Sequence, residues 1–204
     1  MTVAPSVIKL RKKQQRTNKR KGDLAPNPEM WKALGEGKLL TKILTDFYSL
    51  VFKDDKLAHF FKDSTEKRAR EKQYLFMNAI LTGEKVYFGE RPRNAHSWMI
   101  ISDELFDYRE QLMEDVIRKH GLDEVYIKQW RAIDEIYRKQ IVKSKPFNKQ
   151  IGGVELPAEG YATEILEVAG ICDECECEVD VGSEVSYHLR TGKVFCKNCT
   201  PKET

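Results

Sequence analysis

At 204 residues, with 41% hydrophobic and 33% charged residues, the chain has the length and composition of one ordinary globular domain plus an appendage. No apolar run approaches the roughly 20 residues of a membrane span, and the basic N-terminus lacks the apolar core of a secretory signal. All five cysteines fall between 172 and 199, which argues for a metal site in a reducing compartment rather than disulfides, and so for a cytoplasmic protein.

The net charge of +3 hides an asymmetry. Residues 1 to 22 hold Lys9, Arg11, Lys12, Lys13, Arg16, Lys19, Arg20 and Lys21 and no acid, so the rest of the chain is net acidic. Such an arm reads as a solvated, disordered tail. The competing reading is attraction to nucleic acid or lipid headgroups. No aromatic residue interleaves the arm to stack on a base, which counts against nucleic acid.

The folded part begins after Pro26 and Pro28. Residues 29 to 34 suit a short helix ended by Gly35 and Gly37. Leu39, Leu40, Ile43, Leu44, Phe47, Tyr48, Val51 and Phe52 then repeat at helical spacing without a gap, up to Asp54 and Asp55. Leu57, Phe60 and Phe61 lie in a connecting turn. Asp63 or Ser64 is placed to cap the next helix, with Glu66 completing a capping box on Asp63. Its stripe is Ala69, Phe76, Met77, Ile80 and Leu81, and Gly83 ends it. Tyr48 and Gln73 interrupt these apolar faces. A buried hydroxyl or amide without a partner costs about 1–3 kcal/mol, so each needs an interior partner.

Pro92 pushes Arg91 into extended geometry and presets a first helical turn, with His96 one turn on. Ser102 or Asp103 caps a helix striped by Leu105, Phe106, Leu112, Met113, Val116 and Ile117, which ends at His120 and Gly121. Ile127, Trp130, Ile133, Ile136, Tyr137 and Ile141 stripe the last helix. No segment from 29 to 145 reads as a strand, so this region is an all-helical domain. Taken alone, His96 is a surface histidine, and Tyr48 and Gln73 bond each other or a backbone carbonyl. Taken together, the three suit a shared pocket in which the histidine holds something that the other two face.

The order and spacing of several pieces resemble the truncated haemoglobins, most of all those of group I. They are Asp46-Phe47-Tyr48 with Val51, Asp55-Lys56-Leu57 with Phe60-Phe61, Lys72-Gln73 with Phe76, Gly83 with Tyr87, and Arg93-Asn94-Ala95-His96, spread over residues 29 to 143. The resemblance implies a two-over-two helical sandwich around haem b. It implies that His96 is the proximal iron ligand, that Phe61 packs on the porphyrin, and that Tyr48 and Gln73 are distal donors to a bound gas. Lys72 and Tyr87 are implied near the propionates, with Arg91 and Arg93 as weaker candidates. Ala69 stands where many globins carry a distal histidine. The chain departs from the family in Gly35-Glu36-Gly37, in Thr82-Gly83 and in the bulky Trp98-Met99, which affects loop geometry and ligand access.

Residues 146 to 170 are punctuated by Pro146, Gly152, Gly153, Pro157 and Gly160 and read as a linker. Its apolar residues suit docking on the globin. Beyond it, Cys172-x2-Cys175 and Cys196-x2-Cys199 stand 20 residues apart, the spacing of two knuckles that supply four thiolates to Zn2+. Iron suits the same ligands. Val185, Tyr187 and Leu189, a Thr191-Gly192 turn, and Val194-Phe195 form the hairpin between the knuckles. Cys177 is a spare thiol, and His188 is read as solvated rather than as a ligand.

The expected architecture is an all-α globin domain with a small C-terminal β zinc ribbon: a basic arm over 1–26, haem domain over 27–145, linker over 146–170 and ribbon over 171–204. Three functions fit it. The first is binding of dioxygen or another diatomic gas (O2, NO or CO) at haem b, extending to nitric oxide dioxygenation with an external electron donor. The second is a haem-based sensor or adaptor that acts on a protein partner through the ribbon. The third is a haem-free globin-fold subunit of a larger assembly.

Overall fold

The structure is a computed structural model that describes residues 24–200 apart from 88 and 158; the basic arm lies outside the described residues up to 23. The chain divides into two compact units, one ending at Lys145 and the other starting at Pro146.

The first unit is helical. It comprises α1 (Pro28–Ala33), a 3-10 turn (Gly35–Gly37), α2 (Lys38–Val51), a second 3-10 turn (Ala58–Phe61), α3 (Glu66–Thr82), α4 (Pro92–Ala95), α5 (Asp103–Lys119) and α6 (Glu124–Ile141). Helix α2 packs against α3 and α5, and α5 packs against α6, which gives the two packed pairs of a two-over-two sandwich. The gap-free apolar stripe explains why α2 is central. Leu40, Ile43, Leu44, Phe47, Tyr48 and Val51 are all buried. They meet Met77 and Leu81 of α3, Met113, Val116 and Ile117 of α5, and Ile127, Trp130 and Ile133 of α6 in one core.

The caps set the helix positions. The Asn27 side chain accepts from the Met30 N–H at the start of α1, and Ser102 accepts from Leu105 at the start of α5. At α3 the cap is Thr65, which accepts from the Arg68 N–H, and not Asp63 or Ser64. Glu66 is therefore the first helical residue; its carboxylate accepts from the Ser49 hydroxyl at 2.9 Å and ties α3 to α2. Gly37 precedes α2 with φ +94°, and a Cβ there would lie 2.3 Å from the Tyr74 hydroxyl, so the turn needs glycine twice over. Gly83, at φ +77°, closes α3 in the left-handed conformation usual at helix ends.

One residue of the predicted α6 stripe behaves differently. Ile136 on α6 is 47% exposed, while Asp134 is buried. The Asp134 carboxylate accepts from Trp130 Nε1 at 3.1 Å and pairs with Arg109 of α5 at 3.2 Å, so an ionic contact occupies that part of the interface. Extended structure also enters this unit once, as an antiparallel bridge between Ile101 and Lys143.

The second unit is built from short strands. Strands β1 (Lys149–Ile151) and β2 (Val154–Leu156) form a hairpin. Strand β3 (Tyr161–Ile165) pairs with β6 (Glu184–His188), which pairs with β7 (Val194–Phe195); β4 (Gly170–Ile171) pairs with β5 (Glu178–Val179). All these pairings are antiparallel. The stretch read as a linker thus supplies three strands, and β3 widens the predicted hairpin into a three-stranded sheet. Bonds from Leu166 N–H to the Ser183 carbonyl and from Gly182 N–H to the Leu166 carbonyl carry the ladder from β3 and β6 towards β4 and β5. No helix among the described residues is long and apolar enough to cross a membrane.

Candidate functional site

In the helical unit, His96 caps the C-terminus of α4. Its Nδ1 lies 2.8 Å from the Pro92 carbonyl, which can only accept, so Nδ1 carries the proton and Nε2 keeps a free lone pair. Nothing among the described residues hydrogen-bonds Nε2. Burial pushes the imidazole down to about 4, so the ring is neutral at physiological pH. A neutral imidazole with one nitrogen held by a carbonyl and the other open is what a metal ion requires of a histidine.

Tyr48, on α2, is 6% exposed. Its ring stands edge-on to Phe47, Phe52 and Phe61, at centroid distances of 5.2, 6.4 and 5.9 Å. Its hydroxyl has no hydrogen-bond partner among the described residues. Burial pushes the phenol up to about 12, so it keeps its proton and remains a donor. Gln73, on α3, is half-buried, and its amide also lacks a partner among the described residues. The expectation that Tyr48 and Gln73 satisfy each other is therefore not met. Both Tyr48 and His96 feel the charge of Arg109, whose guanidinium lies 4.9 Å above the Phe47 ring.

The remaining predicted residues surround these three. Phe61 stacks at a tilt on Phe52, 5.0 Å away, and both are partly buried against the core. Phe60 meets Trp98, just after His96, at 6.1 Å. Tyr87 stands edge-on to Phe76, which also meets Tyr137 of α6. The Tyr87 hydroxyl donates to the Glu90 carbonyl at 2.7 Å, and burial, with lesser effects of Glu90 and Tyr48, pushes it up to about 12. Lys72 and His59 are exposed, and Ala69 is buried. His120 bonds Asp46 at 3.1 Å across α5 and α2, which gives it a structural role at the end of α5.

The model of the bacterial-like globin family matches residues 29–141, more than half of the chain. The chain belongs to the bacterial-like globin family. Among its relatives, the group 1 truncated haemoglobin of Tetrahymena thermophila is 24% identical over 112 residues, covering 55% of this chain and 93% of the relative. The group 1 protein of Tetrahymena pyriformis is 23% identical over 113 residues. The crystal structure of the latter in its Fe(III) form has a TM-score of 0.52 and covers 55% of this chain and 97% of its own. The 2/2 haemoglobin of a Synechococcus species in the cyanomet state, with covalently attached haem, gives the same TM-score at 18% identity. At these identities the structural matches establish the fold. The family match ends at 141, so the second unit lies outside it.

Beside the globin unit, the second unit brings four cysteines together. The ligand sulfurs of Cys172, Cys175, Cys196 and Cys199 all lie within 4.8 Å of one another. Four sulfurs held at ~2.3 Å around a tetrahedral ion stand about 3.8 Å apart; the Cys175 and Cys196 sulfurs are 3.9 Å apart. The strands aim the two knuckles at one point: Asp173 N–H donates to the Val194 carbonyl, and the Asp173 carboxylate accepts from Val194 N–H at 2.6 Å. The first knuckle closes through Glu176 N–H to the Cys172 carbonyl, with Glu176 at φ 59°. Backbone N–H groups of Cys175 and Cys196 point at the Cys172 sulfur and pull its thiol down to about 6, favouring the thiolate a metal needs. Cys177 stands outside the four, and hydrogen bonding to Cys175 holds its thiol well above the usual range. His188 is engaged elsewhere: its Nδ1 accepts from the Arg190 and Thr191 N–H groups, and its Nε2 lies 3.4 Å from Glu159.

Neither Lys143 nor the Arg109–Asp134 pair was apparent in the sequence as part of the site's surroundings. Lys143 Nζ donates to the His96 carbonyl at 2.6 Å from 47 residues away, a contact that no local pattern signals.

Proposed function

We propose that the globin unit is a haem b protein that binds dioxygen or another diatomic gas. The observation that carries this reading is a trio without hydrogen-bond partners among the described residues, the half-buried His96 Nε2 and Gln73 amide and the buried Tyr48 hydroxyl, in a chain matched by the globin family over residues 29–141. Haem would supply the iron that takes up the gas. His96 would offer Nε2 to that iron, with its ring orientation fixed by Pro92. The Tyr48 phenol and the Gln73 amide would donate hydrogen bonds to the partial negative charge on the ligand, stabilising it by roughly 1.5–3 kcal/mol each. Phe61 would form an apolar wall. Lys72 and Tyr87 would flank the propionates, Lys72 as the exposed cation and Tyr87 through its ring, its proton being held by Glu90. Nitric oxide dioxygenation at such a site would require electrons from an external donor.

For the second unit we infer a structural Zn2+ on Cys172, Cys175, Cys196 and Cys199, a closed four-thiolate set with no place for a substrate. Free cysteines throughout the described chain fit a reducing compartment such as the cytoplasm.

An absorption spectrum of the ferrous protein with and without carbon monoxide tests the reading, with a Soret band that shifts on adding the gas as the expected result. Tyr48→Phe should speed oxygen dissociation by about tenfold or more, the equivalent of one lost charge-assisted hydrogen bond. An unchanged off-rate would remove Tyr48 from the distal role.

A further inference from the structure

The loop that follows His96 is held at both ends by one residue of the α6 tail. At its start, Lys143 Nζ donates to the His96 carbonyl at 2.6 Å. At its end, the Lys143 backbone pairs with Ile101 in both directions, Ile101 N–H to the Lys143 carbonyl at 3.2 Å and Lys143 N–H to the Ile101 carbonyl at 2.9 Å. The ammonium also donates to the Ile141 carbonyl at 3.0 Å, satisfying an acceptor that the end of α6 leaves open. The His96 carbonyl accepts a second bond from Met99 N–H at 3.1 Å.

These contacts divide the fixing of His96 between its ring and its backbone. Pro92 holds the imidazole through Nδ1, so it sets how the ring turns. Lys143 and Met99 hold the carbonyl, so they set where the backbone stands at the end of a helix of only four residues. Such a helix has too few bonds of its own to fix its last residue, and a charge-assisted bond to that residue's carbonyl is the strongest restraint on it. We propose that Lys143 is the positioning residue for His96: it fixes the place and direction of Nε2, and it makes the chain leaving α6 part of the proximal side of the site. This rests on the haem reading above. It also has a consequence for the two-unit chain. The second unit starts at Pro146, three residues after Lys143, so the covalent link between the units and the strap on the histidine loop are one segment.

The test uses the full chain and compares wild type, Lys143→Met, Lys143→Arg and His96→Ala. Thermal unfolding confirms that each variant folds; if Lys143→Met does not, Lys143→Gln takes its place. The first readout is amide hydrogen exchange at Met99 and Ile101 in the protein without haem. Exchange should speed up in Lys143→Met and return towards wild type in Lys143→Arg. The second readout is the iron–histidine stretching frequency of the ferrous haem-loaded protein, which should shift or broaden in Lys143→Met. The third is transfer of haem to an acceptor globin, which should be about tenfold faster, the usual cost of losing a contact that orients a metal ligand. A simple loss of stability would not move the stretching frequency. If His96→Ala loses haem while Lys143→Met matches wild type in all three readouts, Lys143 has no positioning role. If His96→Ala keeps haem unchanged, the haem reading itself fails, and the exchange at Met99 and Ile101 still decides whether Lys143 holds the loop.

Discussion

The two units of this chain reach a folded state by different means. The globin unit buries nineteen residues in one continuous core, from Met30 to Ile133. The core cluster of the second unit holds four, of which Cys172 and Cys196 are two, with Leu166, Val194 and Cys199 packed beside them. A core of that size cannot offset the entropy of ordering its strands. In the globin unit a bound group would complete a fold that already holds; in the second unit the proposed metal would be what the strands fold around. The four sulfurs within 4.8 Å of one another are therefore the centre of the second unit, whereas His96 and Gln73 lie outside the globin core cluster and only Tyr48 belongs to it.

The largest effect should come from disabling the proposed metal site. Cys196→Ser, or a strong chelator, should unfold the second unit and leave the helices intact, because structural zinc contributes roughly 10–16 kcal/mol in small peptides. Far-ultraviolet circular dichroism should keep its helical signal while amide exchange at β3, β6 and β7 becomes fast. Equal loss of both units would show that they do not fold independently. The next largest effect belongs to the globin core. Leu44→Ala removes a fully buried side chain from the centre of α2 and should cost about 2–5 kcal/mol in urea unfolding of the helical signal, with no change in metal content.

The smallest effect lies on the surface between α5 and α6. Arg138 holds the Glu135 carboxyl at 2.6 Å and, with help from Arg131, keeps it down at about 2 against an ordinary 4.5. A carboxyl depressed in the folded state stabilises above its unfolded value and loses that contribution as pH falls through the folded one. Glu135→Gln should therefore lower the helical unit's stability slightly at neutral pH, because the partly exposed pair is screened, and flatten the acid limb between pH 4.5 and 2 by the same amount, the two proteins converging at the acid end. An unchanged acid limb would assign the loss of stability in acid to other carboxylates.

Legibility in the sequence follows the same division. Helix α2 could be read almost residue by residue, because eight apolar residues at helical spacing leave no other structure open to it. The four cysteines were equally plain, since their spacing is the ligand geometry written along the chain. The α3 cap was misplaced because Asp63, Ser64 and Thr65 are all capping residues, and only the Arg68 N–H identifies Thr65. Ile136 fitted the period of α6 but lies outside the core, because Asp134 is drawn in by Trp130 and Arg109, a partnership between α5 and α6 that no periodicity records. Strand β3 was hidden in a Gly- and Pro-punctuated stretch whose alternating exposure shows only once β6 is beside it. At the site, the identity of the candidate residues was visible from their order. The hydrogen bond that fixes the His96 tautomer and the one from Lys143 were not, because both depend on carbonyl directions that only the folded backbone sets.

The central claim is that His96 holds a haem in the globin unit. Stoichiometric titration of the purified chain with haemin, followed in the Soret region and repeated with His96→Ala, tests it most directly. Wild type should give a sharp one-to-one end point, and His96→Ala a weak spectrum without a defined end point. Identical titrations for the two proteins, or no saturable binding by wild type, would contradict it.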